Sequence, residues 1–397
     1  MISQQNSNGN ALGATALNST ASVATDISTI LPTLVAGVDL DQTQSHDFFQ
    51  QVLQGKVAPA LIASVLTALK IKGETPEEIA GAAIAIRAAA TPFPQGNGEE
   101  GIVADCVGTG GDGANTINIS TTAAILAAAC GLKMAKHGNR SVSSMSGSAD
   151  LLEAFGVNLS MSPATAKHCL AQTNLCFLYA PAYHSGFKYA APVRKAMAIR
   201  TIFNILGPLV NPAHPTIMLL GVYTPALLMP IAKALQLTGV KRAFVVHGSG
   251  LDEIALHGNT QVVEIKNDTL IERTIKPQDF GLKNYPLAEI KGGTPNENAK
   301  IIKDILSGQG QAAHNAAVII NCAALLYLHN KADSLSQAAQ LASEVLASGK
   351  GLATLSSLVK LSNQAVSSNS KDKSTYTDPK IKADTDTDTD TDKQAEK

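Results

Sequence analysis

Three stretches of this 397-residue chain concentrate side chains that can hold anions or cations. In the first, Gly108-Thr109-Gly110-Gly111-Asp112-Gly113 closes an apolar run, and Thr116, Asn118, Ile119, Ser120 and Thr121 lead into an alanine-rich helix. Such a loop turns backbone N–H groups and hydroxyls toward one helix N-terminus, which makes an anion cradle. Glycine lets the backbone approach phosphate oxygens that a Cβ would hold off, and Ser120 and Thr121 can cap the helix or bind phosphate. The spacing is neither a Walker loop nor a dinucleotide fingerprint with its downstream ribose acid. Glycines alone fit a tight strand-to-helix turn equally well. The polar residues around them favour phosphate.

The second stretch runs Lys136, His137, Gly138, Asn139, Arg140, Ser141, Val142, Ser143, Ser144, again between a strand end and a helix, with Ser148 expected at the N-cap. Two donor-rich loops on neighbouring strands suit a ligand with separated phosphates. Single basic residues are usually solvated, but a cluster that ends a buried strand is better explained by a ligand. The third is Asp252-Glu253, reached from the strand-like AFVVHG through Ser249-Gly250-Leu251. An isolated acidic pair is commonly a turn. Beside phosphate loops, its hard oxygens suit Mg²⁺, which takes a few carboxylates plus water and substrate phosphate. Arg194, in the helical AAPVRKAMAIR, either offers its planar fork to a substrate carboxylate or is a surface cation. The residues alone leave both readings open.

These loops need a scaffold, and the chain has length for two or three domains. From Gly101 onward it alternates strand (IVADCV), loop, helix (STTAAILAAAC), strand (LKMAK), loop and helix (SADLLEAFG). That order predicts an α/β domain with a mainly parallel central sheet and flanking helices, with ligands beyond the C-terminal strand ends. Strands are also expected at 217–223 and 243–248 around a helix from Pro225 to Leu237, and the last helix pair at about 298–307 and 312–329. Before Gly101, Leu61, Ile62, Val65, Leu66 and Leu69 make a helical stripe that stops at Gly73. Thr75-Pro76-Glu77-Glu78 then opens a second helix with a capping box. Together these predict a small helical domain.

The polar, small-residue start (1–26) and the Asp-Thr-rich end (368–397) have almost nothing to bury and read as disordered extensions. Lys plus Arg total 31 against 32 acids, so no basic footprint for nucleic acid exists, and the lack of Trp argues against a base-stacking platform. The longest apolar run, 316–328, contains Asn321 and falls short of the roughly 18 residues of a membrane span. Five cysteines without metal-ligand spacing point to a reducing, cytoplasmic setting.

Taken together, the motifs resemble the anthranilate phosphoribosyltransferase family. The resemblance runs from about Leu31 to about Leu361 through KGETPEEIAG, GTGGDGANTINIST, KHGNRSVSS with SGSADLLEAFG, VRKAMAIRTIFNILGPLVNP and HGSGLDEIALH. It implies a helical domain at 27–98, rejoined by helices from about 162–200, beside an α/β domain at 99–367. This is the fold shared with pyrimidine nucleoside phosphorylases. It also implies a homodimer formed through the helical domain. The implied reaction joins anthranilate to phosphoribosyl pyrophosphate with Mg²⁺ in tryptophan biosynthesis.

By the same resemblance, Gly108, Gly111, Asp112, Thr116, Asn118, Ile119, Ser120, Thr121, the loop from Lys136 to Ser144, and Ser148 contact phosphoribosyl pyrophosphate. Ser120, Asp252 and Glu253 hold the metal. Gly108, Asn139 and Arg194 contact anthranilate, with His137 lining the pocket. Tyr183-His184-Ser185-Gly186-Phe187 departs from the His-Pro-Ala of many relatives, which leaves contacts at 184–188 the least secure. Anthranilate's amine is already nucleophilic, so the absence of a Ser-His-Asp or Cys-His arrangement fits catalysis by positioning. A phosphorylase of the same fold has no need of Asp252-Glu253 or Arg194. A non-catalytic nucleic-acid-binding relative is opposed by the near-neutral charge and the intact motifs.

Overall fold

The computed structural model describes residues 25–95, 102–141 and 145–364. The expected extensions lie outside these residues except for Thr25 and Asp26, and so do Val142, Ser143 and Ser144 of the second loop.

Four helices open the chain: α1 (Ile27–Val35), α2 (Gln42–Leu53), α3 (Pro59–Lys72) and α4 (Pro76–Ala88). The expected stripe on α3 is buried, Gly73 ends that helix at φ 89°, and Thr75 and Glu78 form the capping box of α4. Helix α1 and helix α2 were not anticipated. Polar glutamines dilute the apolar face of α2, although Phe48, Phe49, Val52 and Leu53 are all buried.

The second half is built on a seven-stranded sheet of order β3-β2-β1-β4-β5-β6-β7. Its strands are β1 (Ala104–Gly108), β2 (Met134–Gly138), β3 (Leu175–Tyr179), β4 (Ile217–Gly221), β5 (Arg242–Gly248), β6 (Thr260–Lys266) and β7 (Thr269–Ile275). The first five run parallel, as the alternation predicts, and β6 and β7 add an antiparallel hairpin at one edge. Asn267 makes the hairpin turn at φ 55°.

The remaining helices are α5 (Ile119–Ala129), α6 (Ser148–Ala154), α7 (Pro163–Thr173), α8 (Ala180–Tyr183), α9 (Ala191–Met197), α10 (Phe203–Leu206), α11 (Leu228–Leu237), α12 (Pro295–Leu306), α13 (Ala312–Leu328), α14 (Leu335–Ala347) and α15 (Lys350–Ser362). Helices α5 and α13 cover one face of the sheet, and α11 covers the other and receives α4 of the bundle. The return to the bundle is shorter than the 162–200 expected. Helix α7 packs on β3 and α15, and only the segment from Ser185, with α9, reaches α2 and α3.

Chain order makes β1 the turning point: the chain builds outward through β2 and β3, then crosses back to β4 on the other side. Such a reversal leaves a crevice above the C-terminal strand ends. Here β1 also parts from β2 after a single register pair, Ala104 with Met134. The gap is filled by buried polar groups. Asn211 donates from Nδ2 to Asp105 at 2.8 Å and to the Ala135 carbonyl at 2.7 Å, and the Asp105 carboxylate also accepts from Cys106 N–H and His137 N–H.

A chain of edge-to-face rings ties the bundle to β2. His137 and His184 are 5.2 Å apart, His184 and Phe187 5.8 Å, Phe187 and Phe203 5.5 Å, and Phe203 and Phe49 5.6 Å. His184 is buried, and desolvation, opposed only in part by the Val210 backbone, pushes it down to about 4. Burial, then neighbouring His184 and Lys136, hold His137 well below the usual imidazole range. Both rings are therefore neutral near pH 7.

In the unfolded chain His184 titrates near 6.5, so between that value and about 4 the unfolded state binds the additional proton. Its contribution is fully present above pH 6.5 and declines as pH falls toward 4, by up to about 3 kcal/mol. Melting curves from neutral pH to about pH 4.5 will therefore show wild type losing stability faster than His184→Gln. Parallel pH profiles for the two proteins would refute this account of the joint.

Candidate active site

The three polar stretches meet above β1, β2 and β4. Gly108 ends β1 and Gly221 ends β4, and a Cβ on either would run into Asp252: its carboxylate in the first case, its backbone in the second. Glycine is required at both positions because the 251–254 turn lies directly on the strand ends. The loop after Gly108 then passes through Gly110, Gly111, Gly113 and Asn115 at positive φ.

The carboxylates reach across this loop. Asp252 accepts the Gly110 N–H at 2.6 Å, and Glu253 accepts both the N–H and the hydroxyl of Ser120, at 3.1 and 2.5 Å. Ser120, expected as a phosphate donor, thus has both its N–H and its hydroxyl engaged by Glu253. Desolvation, followed by repulsion from Asp112, raises Asp252 to about 7. Desolvation and then Asp252 raise Glu253 to about 8, opposed by Ser120 and Lys136. Three carboxylates, a hydroxyl and a buried ammonium therefore share one small volume.

That donor set fits a divalent cation of the hard type. Asp252, Glu253 and Ser120 supply oxygen ligands, their mutual repulsion is what a cation relieves, and so few protein ligands leave positions for water and phosphate. Lys136 is buried, donating to its neighbour's carbonyl at 3.3 Å, with its charge facing Asp105 and Glu253.

Other expected contacts are directed elsewhere. The Asn118 side chain donates to the Ser146 carbonyl and accepts from Asn298 and Ser146, so it links the two loops. The Ile119 side chain is in the core, which leaves only its backbone for a ligand. Thr116 pairs through its backbone with Lys291. The Arg140 guanidinium, read as a phosphate donor, is forked onto Glu153 at 2.6 and 2.8 Å and touches Asp150 at 3.2 Å. Its cationic charge is spent within the protein. Ser148 lies one residue inside helix α6; Gly147 is the N-cap, and the Ser148 hydroxyl donates to the Asn139 carbonyl. Thr121 is buried on the first turn of α5.

Sequence reasoning missed Asp150 and Asn298. Asp150 accepts the N–H groups of Ser141 and Gly147, closing both ends of the second loop. Asn298 is buried and joins Asn118 to the Gly293 N–H. The motif SADLLEAFG carried a signal for Asp150, an acid in a helix's first turn. Nothing local marks Asn298, whose partner is 180 residues away.

The second wall comes from α9. Arg194 lies 5.2 Å over the Phe203 ring, and among the described residues no ion pair takes up its charge. The ring chain connects this guanidinium to His137 through Phe203, Phe187 and His184. Arg200 donates to the Gly111 carbonyl at 2.7 Å while stacked 4.3 Å over Tyr223, so this segment touches the glycine loop directly.

Residues 28–90 match a family described as the glycosyl transferase family, helical bundle domain, and residues 100–352 match its a/b domain. The chain is 84% identical over 357 residues to anthranilate phosphoribosyltransferase of Colwellia psychrerythraea, an alignment covering 90% of this chain and 98% of that one. Among solved structures, anthranilate phosphoribosyltransferase from Thermus thermophilus superposes with a TM-score of 0.80 at 39% identity, covering 84% of this chain and 99% of that one. The Saccharomyces cerevisiae enzyme in complex with PRPP and Mg gives 0.77 at 31% identity, covering 85% and 97%, and it has also been solved with 4-fluoroanthranilate. The two-part fold, the order of the motifs and these similarities agree: the chain belongs to the anthranilate phosphoribosyltransferase family.

Proposed function

We propose that the cleft joins anthranilate to phosphoribosyl pyrophosphate in tryptophan biosynthesis: the aromatic amine forms a bond to C1 of the ribose as the bond to pyrophosphate breaks, giving N-(5-phosphoribosyl)anthranilate. The observation that carries this reading is the convergence of the Asp252-Glu253 turn on both the glycine loop and the start of α5. The yeast relative's complexes with PRPP and Mg and with 4-fluoroanthranilate support the same pairing of ligands.

The glycine loop from Gly108 to Asp112 with Ser120 and Thr121, and the second loop from Lys136 to Ser148, hold the phosphates. Lys136 offsets charge from below, and Asn118 and Arg140 keep the loops in shape. Ser120, Asp252 and Glu253 hold Mg²⁺. When bound, the ion neutralises charge on the leaving pyrophosphate. Arg194 offers its fork to the anthranilate carboxylate, oriented by Phe203 beneath it, with Gly108 and Asn139 completing the acceptor site. No side chain is assigned as acid or base: a neutral aromatic amine attacks without a strong base, and the acceptor of the proton it then loses is left unassigned.

A groove of about 700 Å³ between α1 and α3, lined by Leu31, Leu34, Val35, Ala63, Ala68 and Ile71, supports a homodimer through the helical domain. Val35 is 73% and Ile71 82% exposed on this face, a large apolar exposure for a lone protomer. Five free thiols, four of them buried, suit a reducing cytoplasm. Among the described residues, no helix is long and apolar enough to cross a membrane.

Loss of anthranilate fluorescence on mixing protein, phosphoribosyl pyrophosphate and Mg²⁺ tests the reaction. Consumption should need all three, stop with EDTA and resume when Mg²⁺ is restored in excess; folded protein that consumes nothing refutes the proposal. Arg194→Ala should raise the anthranilate KM by about a hundredfold, the effect of one lost charge-assisted contact, while the phosphoribosyl pyrophosphate KM changes little. Equal losses for both substrates would remove Arg194 from its role. Ile71→Lys should halve the particle mass seen by light scattering while the circular dichroism stays native. An unchanged mass would exclude this face from the dimer.

A further inference from the structure

Helix α13 buries two polar side chains, His314 near its start and the Asn321 amide deep in its apolar interior. Asn321 is fully buried between Ile320 and Cys322, where an unpaired amide would cost several kcal/mol. Its Nδ2 donates to the Ala317 carbonyl one turn back at 2.9 Å, a local bond that costs the fold nothing. The other contacts are long-range. Oδ1 accepts the Ile254 N–H at 3.0 Å, and Nδ2 reaches the Ile254 carbonyl at 3.5 Å. One side chain thus grips both polar groups of a single residue 67 positions away, as a neighbouring strand would.

Ile254 immediately follows Asp252 and Glu253. On the cleft side, those carboxylates are drawn toward Gly110 and Ser120. Behind them, the chain is pinned by Asn321 at Ile254, by the Thr260 hydroxyl at the Ala255 N–H, and by the Gly248–Leu251 backbone pair. The last two fix the ends of the turn. Among the described residues, Asn321 is the hydrogen-bond partner of Ile254, the residue next to Glu253. Helix α13 also packs on α5, whose first turn carries Ser120, so one rigid pair of helices presents both the hydroxyl and the carboxylate turn.

We propose that Asn321 is a positioning residue for the acidic turn: by holding Ile254 it fixes where Asp252 and Glu253 stand relative to Ser120, and so sets the site's affinity for a divalent cation. This rests on reading those carboxylates as the cation ligands. Without the amide, the Ile254 N–H is left buried and unpaired, and the turn must rearrange to satisfy it. The effect reaches cation and pyrophosphate but spares Arg194 on the other wall.

The test uses full-length Asn321→Ala and Asn321→Leu, with Glu253→Gln for comparison. Mn²⁺ binding is followed by electron paramagnetic resonance in the presence of inorganic pyrophosphate, where no turnover occurs. Hydrogen exchange is followed on a peptide covering residues 251–256, and KM for anthranilate is measured separately. The Asn321 variants should weaken the Mn²⁺ midpoint about tenfold and speed exchange at Ile254 by a similar factor, the change expected for one lost buried hydrogen bond, with anthranilate KM within about twofold of wild type. If Glu253→Gln weakens Mn²⁺ and the Asn321 variants do not, Asn321 has no positioning role. If none of the three weakens it, the assignment of the carboxylates themselves falls. The leucine variant fills the volume that alanine leaves empty. Failure of both Asn321 variants to fold would make the amide a folding determinant and overturn the proposal.

Discussion

The contact on which this site depends is the seating of Asp252 against the ends of β1 and β4. The turn after β5 comes so close that only hydrogen atoms fit at Gly108 and Gly221. Once it is seated, the carboxylate of Asp252 meets the Gly110 N–H and that of Glu253 meets Ser120. The two acids are therefore placed by backbone packing on a rigid sheet, with no long side chain left to search for its position. The glycines usually credited with approaching phosphate serve here in addition to let protein approach protein.

A second constraint opens the space. Strands β1 and β2 would normally pair along their length, as β1 and β4 do over five residues, but they separate after Ala104 and Met134. Strand edges that separate in a core strand buried N–H and C=O groups, each of which must find a partner. Asp105 and Asn211 supply the partners, and the charge of Lys136 offsets part of the cost of burying Asp105, whose carboxyl burial still holds above its usual range. The polar knot fills the space where the two strands part beneath the loops. Asn118, Ser146 and Asn298 then set their spacing from above.

Much of this was legible in the sequence because its signals are local. The capping box at Thr75, the stop at Gly73 and the strand–loop–helix alternation from Gly101 each depend on neighbours within a few residues, and each appears where expected. What stayed hidden depends on distant partners. Asn118 has the right chemistry for phosphate, yet Asn298 engages its side chain, and no spacing rule reveals a partner 180 residues away. The β6–β7 hairpin was a different loss: Asn267-Asp268 between alternating runs is a recognisable turn, but the polar residues of β7, an edge strand, mask its pattern. Helix α7 was assigned to the bundle by resemblance, whereas its buried Cys169 and Leu170 belong to the core of the sheet.

The surroundings of the two buried imidazoles do not suit them to act as a base. His137 and His184 belong to the ring chain that leads to Arg194, and burial keeps both neutral and below the range in which they would exchange protons readily at neutral pH. Their service is as rings, transmitting the position of β2 through Phe187 and Phe203 to the stem of Arg194. A nucleophile that needs no activation frees the protein to spend its polar residues on the other end of the reaction, where negative charge accumulates on departing pyrophosphate. The structure is divided accordingly. Acids, a hydroxyl and loop N–H groups cluster at the glycine loop, and an arginine backed by an aromatic ring stands apart from them on α9.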